Sequence, residues 1–496
     1  MSPNGKADVY DVIVVGGGGS GLAAAIEARA TGRSVALIEK NPALGGSTAW
    51  SIGSISASCT PHQLAKGIQD SPADHWRDMA GFNGDLDPRD NRDLRRVLAD
   101  AMPDTFRWLL SHGIRFYGPM PEPPHKKPRM HNVLPNSRSF ITHLGRAARR
   151  AGVEIICSTR ATALAGDTGR VSGVDCETPH GKRRFAARGG IVLASGDFTS
   201  DPELKGQFMG PQQAKIDGVN ITATGDGQKL ALPLGARIIN GDLALGPELR
   251  FVPPQKPNLL LKLPPWPALA NLMAWSLEHM PSTILRPFVM SFVTTALAPS
   301  LSLFTEGAIL VNRKGVRFTQ ETDAPAFALP DQPDKVAYIL VDARIASKFS
   351  AWPNFISTAP GVAYAYLDDY RRNRPDVFKA APSLDDLVAK LGMPTGSLTK
   401  TVAQHNAAAG NRPKLEAGPY VALGPVRAVF VHAEGGLAVD AEHRVLGAGD
   451  QPIPGLYAAG STGQGGLLLK GHGHHLAWAF ASGRPGRSSL PRRDLG

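Results

Sequence analysis

Three places in this sequence hold residue types at spacings that support chemistry. The first is Val14-Val15-Gly16-Gly17-Gly18-Gly19-Ser20-Gly21. Gly16, Gly18 and Gly21 satisfy Gly-x-Gly-x-x-Gly between an apolar run and an Ala-rich segment. The first glycine permits a sharp turn, the second lets backbone approach a pyrophosphate, and the third lets helix pack close on strand. The helix start adds unpaired N–H groups and a positive dipole end for an anion. The second place is Leu467-Leu468-Leu469-Lys470-Gly471-His472-Gly473-His474-His475. There a cation, imidazoles and the N–H of Gly473 at a helix start could stabilise an oxyanion and move a proton. The third is His432, in Val431-His432-Ala433-Glu434-Gly435-Gly436.

The histidines His472, His474 and His475 also raise a metal site, but no Cys or acid stands at a ligand spacing from them, and none is expected. Cys59, Cys157 and Cys176 form no Cys-x-x-Cys pair. They read as small apolar residues in a reducing compartment.

The elements that must position these residues follow from the pattern. Asp11 to Val15 reads as a buried parallel strand, and Ser34 to Ile38 as its neighbour, ending on Glu39 where a carboxylate can hold a ribose hydroxyl. A small-residue loop with Gly45, Gly46 and Ser47 comes next. Residues 62 to 112 read as mostly helical, 140 to 152 as an amphipathic helix, and 153 to 156, 170 to 174 and 190 to 196 as strands. Further strands are expected at 307 to 312, 336 to 341 and 455 to 460, with a closing helix at 475 to 482.

Residues 251 to 303 stand apart, rich in Leu, Phe, Met, Trp and Pro and poor in charge. Pro299 and several hydroxyls interrupt the longest uncharged run, so a hydrophobic lid or mouth is expected rather than a span; interfacial membrane contact stays open.

At 496 residues the chain is long enough for two or more domains. Its net charge of +11 is scattered, with small clusters at Lys126-Lys127, Arg146 to Arg150 and Arg492-Arg493. No nucleic-acid module accompanies them. The stretch Met1 to Lys6 lacks an apolar signal core, so a cytoplasmic location is expected.

The Gly-x-Gly-x-x-Gly ending at Glu39, the Leu44-Gly45-Gly46-Ser47 loop and Gly455-Leu456-Tyr457-Ala458-Ala459-Gly460 together resemble the FAD-dependent fumarate reductase/3-ketosteroid dehydrogenase flavoprotein family. Segments 191–196, 224–227, 307–318 and 434–437 extend the match over nearly the whole chain. The resemblance implies an α/β fold: a Rossmann-like FAD-binding domain split between both chain ends, 1–245 and 429–496, with an inserted α+β cap over 246–428. It also implies hydride exchange between flavin N5 and a carbon of an activated C–C bond.

By position, Gly16, Gly18, Gly21 and Glu39 would hold pyrophosphate and ribose, with Gly45, Gly46 and Ser47 near the phosphates and flavin. Ala161 would meet the adenine side, and Gly460, Leu467 and Leu468 the ring system. Gly19, Ser20, Lys40, Ala194, Ser195, Gly196, Asp226 and Ser461 complete the implied cofactor set. Covalently flavinylated relatives carry a His after the second strand; residues 47 to 53 have none, so non-covalent FAD is expected.

The catalytic patterns of that family are incomplete here. Arg317-Phe318-Thr319-Gln320-Glu321 is followed by Thr322-Asp323-Ala324-Pro325, without the proton-donating arginine of fumarate reductases. Pro325 is followed by Ala326 where ketosteroid dehydrogenases place a Tyr. Lys470 falls where fumarate reductases bind substrate through an arginine, and His432 where they place a substrate-facing His. Gly473 falls where ketosteroid dehydrogenases polarise the substrate carbonyl, and Tyr117 near one of their active-site tyrosines.

The expected function is dehydrogenation beside the carbonyl of a hydrophobic cyclic or steroid-like ketone, or its reverse. His432, His472 or Tyr117 would move the α-proton, while Lys470 and Gly473 stabilise the enolate. The alternatives are a reductase of small unsaturated carboxylates and a non-catalytic FAD scaffold. Expected partners are a small-molecule substrate and an unidentified electron acceptor or donor, with no nucleic acid.

Overall fold

The computed structural model describes residues 8–167, 169–254, 262–359, 363–410 and 412–484. The stretch Met1 to Lys6 and the Arg492-Arg493 pair lie outside the described residues.

The strand Asp8–Val15 ends in four buried apolar residues, Val12 to Val15, as a parallel strand covered on both faces requires. It pairs in parallel with Val35–Ile38 on one side and Gly181–Leu193 on the other. Beyond these lie Glu154–Ile156 at one flank and Pro452–Ala458 at the other, both parallel to their neighbours, with Arg444–Leu446 outermost. Both ends of the chain therefore contribute to one sheet, and the doubly wound α/β architecture expected from the sequence is present.

The expected strand at 190 to 196 is instead the end of a 13-residue strand, Gly181–Leu193. Its first half pairs antiparallel with Arg170–Thr178, which in turn pairs with Arg160–Asp167. Gly190 lets it continue between new neighbours: its φ is +141°, and a Cβ there would stand 2.8 Å from the carbonyl oxygen of Gly455.

A second sheet is built around Tyr420–Phe430, which pairs with Ala337–Val341, Glu248–Phe251, Phe378–Ala381 and Asp217–Gly218; Ile309–Asn312 extends it through Ala337–Val341. It carries its own buried core, running from Ile216 and Leu249 to Phe430. A small antiparallel sheet, Ser54–Ser56, Met130–Leu134 and Arg115–Met120, packs with the long helix Arg92–Ser111 and the closing helix His474–Ser482 into the first core.

The apolar stretch divides between these bodies. Helix Pro267–His279 lies against strand Arg115–Met120, while helix Ser282–Ala296 sends Met290 and Val293 into the second core. The described part of the stretch therefore touches both bodies. Among the described residues no helix is long and apolar enough to cross a membrane.

The turn after Asp8–Val15 is set by contact. A Cβ on Gly21 would lie 1.9 Å from the carbonyl oxygen of Gly16. Gly21→Ala must push helix Gly19–Ala30 off the strand, and overpacking of this kind costs about 1–3 kcal/mol. Its melting temperature should fall, and an unchanged melting curve would contradict the close approach.

Candidate active site

The dinucleotide cradle forms at the carboxyl ends of three strands. Gly16 (φ +116°) turns so tightly that a Cβ would meet the carbonyl oxygen of Ala194 at 2.3 Å. Gly18 behaves oppositely: it precedes helix Gly19–Ala30, and a Cβ there would meet nothing nearer than 3.9 Å. Gly18 has no side chain to cap this helix start and no acid stands in its first turn, so the open space and the first-turn N–H groups beyond Gly19 suit a pyrophosphate. Thr48 Oγ1 accepts from the N–H of Gly19 at 3.1 Å.

Glu39, 5% exposed, accepts from the N–H of Gly17 (2.7 Å) and from both N–H and Nδ2 of Asn41 (2.8 Å each). A carboxylate has about four acceptor sites, so capacity for a ribose hydroxyl remains. The donor set and the open space over Gly18 fit FAD.

The neighbouring loops close round it. Lys40 pairs with Asp226 (3.0 Å), which also receives Arg160 (2.9 Å). Arg160 had no signal in the sequence, because the partner lies 66 residues away. Ser47 accepts from Nδ2 of Asn220 (2.9 Å), and Ser195 from the N–H of Gly227 (2.9 Å). Gly196 accepts from Thr462 (2.9 Å) and Gln228 (3.0 Å). Gly460 (φ +61°) sits so near the first helix that a Cβ would meet Ser20 Oγ at 2.7 Å; Ser461 follows it in the 3₁₀ turn Gly460–Gly463. Ala161 is buried on strand Arg160–Asp167 opposite Cys176.

The C-terminal turn is held by distant acceptors. Leu468 N–H donates to Asp90 (2.7 Å), and Leu469 N–H and Gln464 Nε2 both donate to Oε2 of Glu434 (3.1 and 2.7 Å). Leu467 and Leu468 are fully buried there. Lys470 follows, its carbonyl accepting from Nδ1 of His474. Gly473 precedes helix His474–Ser482, and a Cβ on it would meet Ser56 N at 2.5 Å; its glycine is demanded by packing on strand Ser54–Ser56.

The three proton-transfer candidates fare differently. His472 Nδ1 lies 2.6 Å from Oε1 of Glu122, which also accepts the backbone N–H of His472 at 2.6 Å. Its side chain is 53% exposed, and the hydrogen bond to Glu122 holds its pKa above the ordinary histidine value despite burial nearby. His432 instead faces the interior, its ring 3.7 Å from that of His475 and its Nε2 3.5 Å from Oε1 of Glu434. Burial, then the neighbouring His475, pushes the pKa of His432 down. Burial raises that of Glu434, but His475 and His432 outweigh it and hold this carboxyl well below its usual range. Tyr117 sits on strand Arg115–Met120 with the Lys66 ammonium 6.0 Å from its ring centre.

Glu434, His475 and Glu122 were missed as site residues. The first two were visible in the quoted motifs, but the acid judged absent near the histidines arrives from 41 residues upstream of His475 in space, not in spacing. His432, Glu434 and His475 converge, and so do His75, His125 and His474, a closeness that the linear spacing did not show.

A family model described as FAD binding domain matches residues 11–259 and 281–468, and the chain belongs to that family. It is 26% identical to NADH:fumarate oxidoreductase of Klebsiella pneumoniae over 475 residues, covering 91% of this chain and 44% of that protein. It thus spans less than half that relative's length. It is 23% identical to 3-oxosteroid 1-dehydrogenase of Mycolicibacterium smegmatis, covering 91% of this chain and 92% of that one. A solved flavocytochrome c3 fumarate reductase in its open conformation superposes with a TM-score of 0.70 at 23% identity, over 98% of this chain and 78% of the other.

Gly18→Ala leaves the protein packing untouched but fills the pyrophosphate space. It should melt like the parent once flavin is stripped from both, yet bind FAD at least about tenfold more weakly, one step of 1.4 kcal/mol. Fluorescence titration of the apoprotein with FAD measures this.

Proposed function

We propose that this protein acts on CH–CH bonds, dehydrogenating a hydrophobic ketone beside its carbonyl, with the reverse reduction served by the same groups. The observation that carries the reading is the His472–Glu122 pair, 2.6 Å apart and two residues after Lys470 in the chain.

FAD, held non-covalently, supplies a hydride acceptor at N5 for the carbon β to the carbonyl. The α-proton passes to Nε2 of His472 as the Cα–H bond breaks, and the released pair forms the Cα–Cβ double bond. Glu122 takes the Nδ1–H of His472, which fixes the tautomer and leaves the Nε2 lone pair outward on a half-exposed ring. The ammonium of Lys470 and the helix start at Gly473 offset charge on the enolate oxygen. In this reading neither Tyr117 nor His432 takes the proton.

Two features support a hydrophobic ketone over a dicarboxylate. Arg317 is committed to Glu321 (2.7 Å and 2.9 Å) and is not a spare proton donor. Trp266, Leu272 and Trp275, beside the strand that carries Tyr117, expose 65%, 59% and 54% of their surface, an apolar approach for a ring system. The relatives named for fumarate favour the other direction and substrate class, and the same measurement decides between them.

Anaerobic mixing with cyclic ketones, steroid ketones and small carboxylates reads the flavin band directly. Bleaching by one ketone class is the expected result. Reoxidation of dithionite-reduced protein by an unsaturated acid alone would replace this reading with a carboxylate reductase, and no response to any pair would leave an FAD scaffold. Acid precipitation should release the yellow colour into the supernatant, as non-covalent FAD requires.

The acid limb of the rate reports His472. Because Glu122 raises that pKa, Glu122→Gln should move the limb to lower pH while lowering the plateau by about 10²–10⁴-fold if proton transfer limits. An unmoved limb would remove His472 from the role of base.

A further inference from the structure

We infer that Nε2 of His432, Oε1 of Glu434 and Nε2 of His475 form a binding site for one divalent cation of the zinc class, with an open position toward substrate. Both imidazole nitrogens stand 3.5 Å from the same carboxylate oxygen, and the ligand atoms of all three residues lie within 4.8 Å of one another. That separation is long for a charge-assisted hydrogen bond, about 2.7–2.9 Å. It matches the edge of a tetrahedron: ligands about 2.0–2.2 Å from zinc stand about 3.4 Å apart.

The outer shell is built as well. Oε2 of Glu434 is occupied by Gln464 Nε2 at 2.7 Å and Leu469 N–H at 3.1 Å, which aims Oε1 at the two rings. Nε2 of His475 is buried with no hydrogen-bond partner, and a buried lone pair of this kind calls for a ligand. Two histidines and one glutamate with a vacant fourth position is the donor set of a catalytic zinc site.

The other histidine cluster does not compete on chemistry. His125 Nδ1 lies 2.9 Å from Nη1 of Arg129, a group that only donates. His125 therefore carries its proton on Nε2, the atom 3.3 Å from Nε2 of His474, and has no lone pair there for a cation.

A cation at His432, Glu434 and His475 would take a carbonyl or carboxylate oxygen of the substrate at its open position and polarise it. That task rests on the CH–CH reading. The cation site itself does not.

The test uses flavin-loaded, chelator-treated protein dialysed against low-micromolar Zn²⁺, with metal analysis per chain and the flavin spectrum as a check of the fold. One Zn²⁺ per chain is expected, with affinity lowered about 100-fold or more in Glu434→Gln and in His475→Asn. Cobalt in its place should show the intense visible bands of a tetrahedral ion at wavelengths beyond the flavin absorption, lost in either variant that still holds flavin. No bound metal would overturn the site. Metal retained in both variants, or lost only in His75→Asn, would overturn it equally. Failure of every substrate to bleach the flavin, with Zn²⁺ bound as described, would remove the proposed reaction and leave the cation site standing.

Discussion

The whole arrangement depends on the register of three parallel strands. Val15 lies opposite Leu193, and Leu193 opposite Ala458, so three strands from the beginning, the middle and the end of the chain stop at one level. In open α/β sheets ligands bind outside the carboxyl ends of the strands, and here that edge brings the turns at Gly16, Gly196 and Gly460 into contact. The distances are short because glycine permits them: no side chain fits between Gly16 and Ala194, or between Gly460 and Ser20. A slip of one residue in any of the three strands would exchange the side chains on its two faces and separate the cofactor cradle from the turn that carries Lys470 and His472.

That turn is itself tethered by carboxylates far from it in sequence. Asp90, next to the start of helix Arg92–Ser111, accepts from Leu468, and Glu434 accepts from Leu469 and Gln464. Asn91 and Asn240 accept nothing there but donate to the carbonyls of Gly465 and Gly466. Hydrogen bonds to buried charged groups contribute about 1.5–3 kcal/mol each, more than neutral turns supply. The backbone of this turn is thereby held by fixed partners. Glu434 serves twice, one oxygen securing the turn and the other facing two imidazoles.

The apolar stretch after residue 251 shows why composition alone misplaces a segment. Its hydrophobic residues do not belong to one core. Met290 and Val293 go to the second core, while the preceding helix lies on strand Arg115–Met120 and leaves Trp266 and Trp275 in solvent. A run of apolar residues fixes that a surface is to be buried or greeted by something apolar; it does not say which body supplies the surface.

What the sequence determined by itself was local. The glycine spacing, the strand that ends on Glu39 and the small-residue loop after it each work within a few residues of chain, where sterics and hydrogen-bonding geometry leave little choice. They pointed to the doubly wound sheet, while its two-ended origin came from the strand-glycine pattern at Gly455 to Gly460 and FAD from the resemblance that this segment completes. The tertiary structure alone decided which side chains meet: Glu122 with His472, Arg160 with Asp226, and Glu434 with both His432 and His475. These pairs join segments separated by tens to hundreds of residues, and nothing in a linear spacing encodes a contact that exists only once two strands and a helix have stopped at the same level.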